Sequence, residues 1–276
     1  MAKNTIDCLN SFLGLFRGLE KDEMRDDLIE YMMKSSYFFS IDSVKKRYEW
    51  MCTLLDPSKS IEERKYVLKA ENEGCLYCRF STAEESPYFY KASKDYYERI
   101  DKKHTSSKTA ILKYQKEKDV YKEKDVYYKL VAPGPTNFYI KVKIDNDGNS
   151  AVRSLINKVC GHWVSNGEKS TIKNATISHI WEKASNPLYF TSLWNIVIVP
   201  TFCNFILDKN EITNDEYFAG VIDRVNKVFK AVCWEMYSVK DMLFDGKIDI
   251  EEPSEEYLKL AKSYISLIPK DHILGS

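Results

Sequence analysis

The chain has 276 residues, in which 41 basic side chains balance 41 acidic ones, so its formal net charge at pH 7 is zero. This balance excludes a histone-like protein that binds polyanions over its whole surface, but it permits a local basic cleft. Seven cysteines, an odd number, and the lack of an apolar run as long as a membrane span predict a cytoplasmic protein with reduced thiols and no membrane contact.

The first 70 residues have the apolar spacing of amphipathic helices. Apolar side chains recur at steps of three and four in residues 5–19, 22–39 and 42–55. Asp42 or Ser43 is the expected N-cap of the third segment, because short polar side chains accept hydrogen bonds from the first backbone N–H groups of a helix. We therefore predict a small helical module in this part of the chain.

A C-x-x-C pair follows at Cys75 and Cys78. Such a pair can supply two of the four ligands of a structural Zn²⁺ site. The chain has no second C-x-x-C or C-x-x-H pair to supply the others, so ordinary reduced thiols are the preferred interpretation and a Zn²⁺ site is the alternative.

Residues 116–127 are two tandem copies of KEKDVY, and tyrosines recur every seven residues at Tyr114, Tyr121 and Tyr128. The high charge and this spacing predict an exposed helix that packs one tyrosine edge. The sequence VAPGP at 131–135 ends that helix and is the best candidate for a boundary. We predict a mainly helical region at 1–132, for target recognition or partner contact, and a second region at 133–276.

The second region begins with a strand and a helix. Phe138 to Ile144 alternates apolar and polar residues, which is the period of a half-buried strand. A helix should run from a cap at Asn149 or Ser150 to about Val159, and long apolar stripes predict further helices at 215–241 and 255–268.

Residues 171–211 combine two β-like segments with a helical one. Ile172 to Ile180 and Asn195 to Val199 have the β-branched content of strands, and the loop between them is too long for a tight hairpin turn. Pro200 fits the first turn of a helix, so we expect a helix from Thr201 to Lys209.

Three polar residues stand at characteristic places in this stretch: His179 ends the first strand, Asn195 opens the second, and Asn204 lies in the helix. This order resembles the motif of the HNH, or His-Me finger, nucleases, and the resemblance covers residues 171–211. It implies an α+β, predominantly helical fold whose C-terminal half is built around a ββα-metal finger with a long loop between the strands.

The resemblance also implies a role for each residue. His179 would be the general base that activates water, Asn195 would tie the long loop, and Asn204 would bind a Mg²⁺ or Mn²⁺ ion through its amide oxygen. The remaining site residues that it implies are Ser178 and Asp208 as further metal ligands, Lys209 as a catalytic residue, and Lys173 and Lys209 as contacts to the substrate. Ser178 stands where the family often has an acidic residue.

We therefore predict a metal-dependent endonuclease that hydrolyses phosphodiester bonds, in double-stranded DNA rather than RNA. A homodimer and a role in restriction or antiviral defence would suit such an enzyme by analogy. The alternative is a catalytically inactive nucleic-acid-binding or regulatory module built on a degenerate finger. A protein-interaction domain without a catalytic centre is a third hypothesis.

Overall fold

The computed structural model describes residues 21–56, 58–60, 62–64, 75–78, 89–91, 125–130, 138–145, 149–168, 170–184, 186–208, 216–243 and 250–275. Helices predominate over strands among these residues, and the two are mixed along the chain. The predicted class, α+β and mainly helical, is confirmed at this level.

The helices are α1 (Lys21–Ser35), α2 (Ile41–Leu55), α3 (Ser150–Cys160), α4 (Pro187–Phe190), α5 (Asn204–Asp208), α6 (Glu216–Tyr237) and α7 (Glu255–Ile265). Short 3₁₀ turns cover Leu193–Asn195, Thr201–Cys203, Val239–Met242 and Lys270–His272. The strands are β1 (Phe38–Phe39), β2 (Cys75–Cys78), β3 (Phe89–Lys91), β4 (Asp125–Leu130), β5 (Phe138–Ile144), β6 (Ala175–His179), β7 (Ile196–Pro200) and β8 (Ile273–Leu274).

The link between α1 and α2 is extended rather than helical. Tyr37 exchanges two backbone hydrogen bonds with Ile198 of β7, at 2.8 and 3.0 Å, and β1 pairs in parallel with β8. The predicted helix over 22–39 therefore ends early, because pairing with distant strands satisfies the backbone groups of Tyr37 to Phe39. Ser40 is the N-cap of α2, since its hydroxyl accepts from the N–H of Ser43 at 3.2 Å, so the cap precedes the predicted residues.

Four strands form a mixed sheet in the order β2-β5-β4-β3, in which β2 and β5 are parallel and the other pairs are antiparallel. β5 has the predicted bounds, and α3 follows it with Asn149 as its N-cap residue. The helix predicted across the second KEKDVY copy is wrong from Asp125 onward, because residues 125–130 pair with β5 along their whole length. The earlier part of the repeat, 116–124, lies outside the described residues.

Helix α6 runs through the main hydrophobic core, where Val225, Val228, Phe229 and Val232 are fully buried. Helices α1, α2 and α7 all contact α6, and α1 also contacts β7. Residues 21–55 therefore share a core with residues of the C-terminal half. None of the described helices combines the length and the apolar character that crossing a bilayer requires.

Candidate functional site

The strands β6 and β7 form an antiparallel hairpin that is followed by a 3₁₀ turn and α5. The register pairs His179 with Ile196 at one end and Ala175 with Pro200 at the other. Four residue-to-residue steps of strand separate these ends, which is about 13 Å. Pro200 leads into the 3₁₀ turn, and α5 then packs back along β6.

The loop between the strands is folded and buried. Asn186 caps α4 by accepting from the N–H of Leu188 at 3.0 Å, and Pro187 occupies the first turn, where its missing N–H costs nothing. Trp181 packs edge-on against Trp194, with 5.4 Å between ring centroids. The two ends of the loop therefore contact each other through aromatic side chains.

Asn195 is fully buried and ties the loop from its C-terminal end. Its Oδ1 accepts from the backbone N–H of Trp181 at 2.9 Å, and its Nδ2 donates to the carbonyl oxygen of Tyr189 at 3.3 Å. One side chain thus holds two separate points of the loop.

His179 is 3% exposed. Its Nε2 lies 3.0 Å from the carbonyl oxygen of Phe190, and its ring stacks on the Phe190 ring with 5.3 Å between centroids and 12° between planes. A carbonyl oxygen can only accept, so Nε2 carries the proton in this contact. In the neutral imidazole, Nδ1 is then the nitrogen without a proton.

Asn204 opens α5, and its Oδ1 is buried without a hydrogen-bond partner among the described residues. Oxygen ligands are the ones that Mg²⁺ and Mn²⁺ prefer, so this orphaned acceptor fits a hard cation. The preceding residue, Cys203, is buried as well, and burial raises the pKa of its thiol to about 12.

The other two predicted ligands lie on β6 and at the end of α5. Ser178 is fully buried on β6, directly before His179. Asp208 ends α5, one turn after Asn204, and only its backbone is described. No group of three or more His, Cys, Asp or Glu side chains that could hold a metal ion occurs in the ranges described above.

Of the two predicted substrate lysines, Lys173 is exposed just before β6. Lys209 lies outside the described residues.

Cys75 and Cys78 lie on strand β2, where a three-residue step spans about 10 Å, whereas two thiolates of one Zn²⁺ site must each come within about 2.3 Å of the ion. An extended backbone at this pair does not support the Zn²⁺ alternative.

Sequence reasoning missed Arg47, which lies on α2 and is only 5% exposed. Its Nε donates to the carbonyl oxygen of Thr191 at 3.2 Å, its Nη2 donates to the Thr191 hydroxyl at 2.6 Å, and its guanidinium lies 4.0 Å from the centre of the Trp50 ring. A single arginine on an amphipathic helix predicts an exposed side chain, so no local signal reveals this contact.

The chain is similar to a family and to a protein that are both described as uncharacterised. The family described as "Uncharacterised protein PM1201" matches residues 89–274, a range that contains His179, Asn195 and Asn204. A protein of the same description from Pasteurella multocida (strain Pm70) is 28% identical over 129 residues, which cover 46% of this chain and 51% of that protein. The chain thus spans about half the length of the curated relative it matches. No solved structure matches the chain. Because the family match extends over more than half of its residues, the chain belongs to the family described as Uncharacterised protein PM1201.

Proposed function

We propose that the chain is a metal-dependent endonuclease in which residues 171–211 form a ββα-metal finger of the HNH type. One observation carries the proposal. The hairpin whose first strand ends in His179 is followed by a helix whose first residue, Asn204, holds a buried amide oxygen without a described partner. Buried polar atoms normally have partners, so this oxygen points to a ligand.

In the proposed reaction, Nδ1 of His179 takes the proton from the attacking water. The contact between Nε2 and the Phe190 carbonyl holds the ring in the tautomer that leaves Nδ1 able to accept. Because the imidazole is 3% exposed, the proposal requires the loop of residues 180–195 to move when substrate binds. Asn195 anchors that loop at Trp181 and at Tyr189.

Asn204 would hold a Mg²⁺ or Mn²⁺ ion, with Ser178 and Asp208 as the further ligands that the resemblance implies. When bound, such an ion offsets the negative charge that builds up on the scissile phosphate and the leaving oxygen. Lys173, which is exposed, and Lys209 would contact substrate phosphates, and Lys209 would also take part in catalysis.

Double-stranded DNA as the substrate, a cytoplasmic setting, a homodimer and a role in restriction or antiviral defence belong to the same proposal. These features rest on the resemblance alone. Helices α1 and α2 would then belong to a region that selects the target or contacts a partner, while it also packs against the finger through Arg47 and Tyr37.

The burial of His179 favours a second candidate function. A base that does not meet water cannot activate it, and a stacked, hydrogen-bonded histidine is also a stable core residue. The chain would then be an inactive finger that binds nucleic acid through its exposed lysines.

Cleavage of a supercoiled plasmid and of a single-stranded RNA, with Mg²⁺ or Mn²⁺ and with a chelator, separates the two functions. We expect ion-dependent cleavage by the wild type and its loss in His179→Ala. His162→Ala is the matched control, because His162 is a half-buried histidine at the end of α3, outside the hairpin. Binding of nucleic acid without cleavage by folded wild-type protein would select the inactive finger, and equal cleavage by His179→Ala would refute the assigned base.

A further inference from the structure

A groove of about 610 Å³ lies between α6, the segment that leads into α7, and Trp181 of the loop. Its volume is in the range of pockets that hold small organic ligands, which is roughly 300 to 1,000 Å³. Asn204 is not among the residues that line the groove, and the wall residue Trp181 is the one whose N–H donates to Asn195.

Two aromatic side chains line the groove. Trp181 contributes from the hairpin loop and Tyr257 contributes from α7. Ile222 and Pro253 also line the groove and add apolar surface. Aromatic and apolar walls of this kind bind the faces of flat heterocycles. Such stacking does not select one heterocycle over another.

Asn226 supplies a fixed acceptor in the groove. It is 7% exposed, and its Nδ2 donates to the carbonyl oxygens of Ile206 at 2.7 Å and Ile222 at 2.9 Å. Both donor positions of the amide are thereby committed, so the side chain cannot flip. Its Oδ1 has no hydrogen bond with any described residue, so it can accept a hydrogen bond from an N–H group of a ligand.

The charges along the groove come from both sides. On α6, Asp223 and Lys227 form an ion pair at 2.7 Å, and this hydrogen bond raises the pKa of Lys227. Lys230, one turn further along the same face, is half-buried and has no ion pair with a described residue. Glu251 and Glu252 are exposed on the opposite side.

These groups match the parts of one ligand. Lys230 suits a phosphate, the carboxylates of Glu251 and Glu252 suit ribose hydroxyls, and the Asn226 oxygen suits an exocyclic amino group of a base that stacks on an aromatic side chain of the wall. We propose that the groove binds a ribonucleotide whose base carries an exocyclic amino group, either as a free monophosphate or as an unpaired nucleotide of RNA. The inference goes beyond phosphodiester hydrolysis and does not depend on His179.

Calorimetric titration of the full chain with 5′-AMP tests the proposal, with IMP and 2′-deoxy-AMP as matched ligands. IMP replaces the amino group by an acceptor, so we expect it to bind at least about tenfold more weakly than AMP. Loss of the 2′-hydroxyl should also weaken binding. Lys230→Ala and Tyr257→Leu change partly exposed side chains at the edge of the groove, and each should weaken AMP binding by about tenfold.

Lys259→Ala is the control variant, because Lys259 is exposed on α7, pairs with Glu255 and does not line the groove. It should bind AMP as the wild type does. A short oligoadenylate that binds more tightly than AMP would identify RNA as the source of the nucleotide, and tighter binding of AMP would identify the free form. The proposal is overturned if AMP gives no saturable binding up to about 1 mM, if IMP binds equally well, or if neither groove variant weakens binding.

Discussion

The Nε2 atom of His179 lies 3.0 Å from the carbonyl oxygen of Phe190, and the next residue, Thr191, is held by Arg47 from a helix 144 positions earlier in the chain. Two consecutive residues of the loop are thus each held by a side chain from another element, His179 of β6 and Arg47 of α2. The loop that contacts the imidazole is therefore held by Arg47, a side chain far from the hairpin in sequence.

Replacing Arg47 should loosen the loop. Arg47→Ala leaves the carbonyl and hydroxyl of Thr191 without their buried donors, so we expect a loss of about 1 to 3 kcal/mol in the free energy of unfolding. Arg47→Lys keeps the charge but not the planar fork and should lie in between. Urea unfolding measures this effect. Lys46→Ala, at an exposed neighbouring position, should be neutral, and equal stability of Arg47→Ala would contradict the role assigned to this contact.

Asn195→Ala should free the loop at two points at once. It removes the acceptor of the Trp181 N–H and the donor to the Tyr189 carbonyl, which we expect to cost about 1 to 3 kcal/mol. Hydrogen exchange of the loop amides should speed up more than exchange in α6. Asn157→Ala, at an exposed position of α3, is the control. Unchanged exchange at Trp181 in Asn195→Ala would show that the loop does not depend on this side chain.

Asn204 allows a test of ion binding without any measurement of cleavage. Mn²⁺ binding followed by electron paramagnetic resonance should weaken at least about tenfold in Asn204→Ala, because the buried oxygen ligand is lost. Asn204→Asp should tighten Mn²⁺ binding, because it adds a negative charge to the same position. In a chelator, the same variant should be less stable than the wild type, since a buried carboxylate then lacks a counter-charge. Equal Mn²⁺ affinity of all three proteins would exclude Asn204 as a ligand.

The buried thiol of Cys203 makes stability depend on alkaline pH. Burial raises its pKa to about 12 in the folded chain, whereas an unfolded cysteine has a pKa of about 8.5. The folded state therefore disfavours the thiolate, so this contribution is fully present below about pH 8.5 and is lost as the pH rises toward 12. We expect a loss of about 2 kcal/mol in unfolding free energy between pH 8.5 and 10 from this group.

Urea unfolding at several pH values measures that loss, and Cys203→Ala should make it smaller. Iodoacetamide at pH 8 should leave Cys203 unmodified in the folded protein and modify it in urea, because only the thiolate reacts. Rapid alkylation of Cys203 in the folded chain would contradict its burial. Burial also raises the pKa of Cys160, to about 11, so this second thiol contributes to the same slope.

Tyr237 fixes the strand that joins the N-terminal helices to the core. Its hydroxyl oxygen accepts from the N–H of Phe39 at 2.9 Å, and both residues are fully buried. Tyr237→Phe leaves that N–H unsatisfied, so we expect a loss of about 1 to 3 kcal/mol in thermal or urea unfolding. Tyr31→Phe, which removes a hydroxyl at an exposed position, should have no measurable effect. Equal stability of both variants would mean that the Phe39 N–H finds another acceptor.

The local sequence pattern predicted an element correctly where the periodicity of its own side chains decided its structure. The alternation of Phe138 to Ile144 predicted β5 with its observed bounds, and the polar residue before the apolar stripe placed the start of α3. The hairpin strands were also predicted, although β6 begins at Ala175 rather than at Ile172. These segments satisfy their periodicity within a few residues, so distant contacts did not alter them.

The local sequence pattern predicted the wrong structure where pairing with a distant strand outweighed the helix propensity of the segment. Residues 125–130 repeat a sequence that suits an exposed helix, yet they form β4 because β5 offers a full set of backbone partners. The chain from Tyr37 to Phe39 likewise leaves the predicted helix to pair with β7 and β8. Propensity differences of well under 1 kcal/mol per residue are smaller than the cost of leaving buried backbone groups unpaired.

The sequence by itself determined the mixed, mainly helical class and the two strands and helix around His179, Asn195 and Asn204, because periodicity and spacing within about ten residues predict them. Asn195 itself was expected to open the second strand, but it ends the 3₁₀ turn before β7. Only the tertiary structure decided that the imidazole is covered by Phe190, that Arg47 holds the loop, and that Asn226 presents a fixed oxygen in a groove beside Trp181. These features depend on which faces of separate elements meet. Burial and hydrogen-bond partners arise from packing between residues far apart in the chain, and local pattern does not encode them.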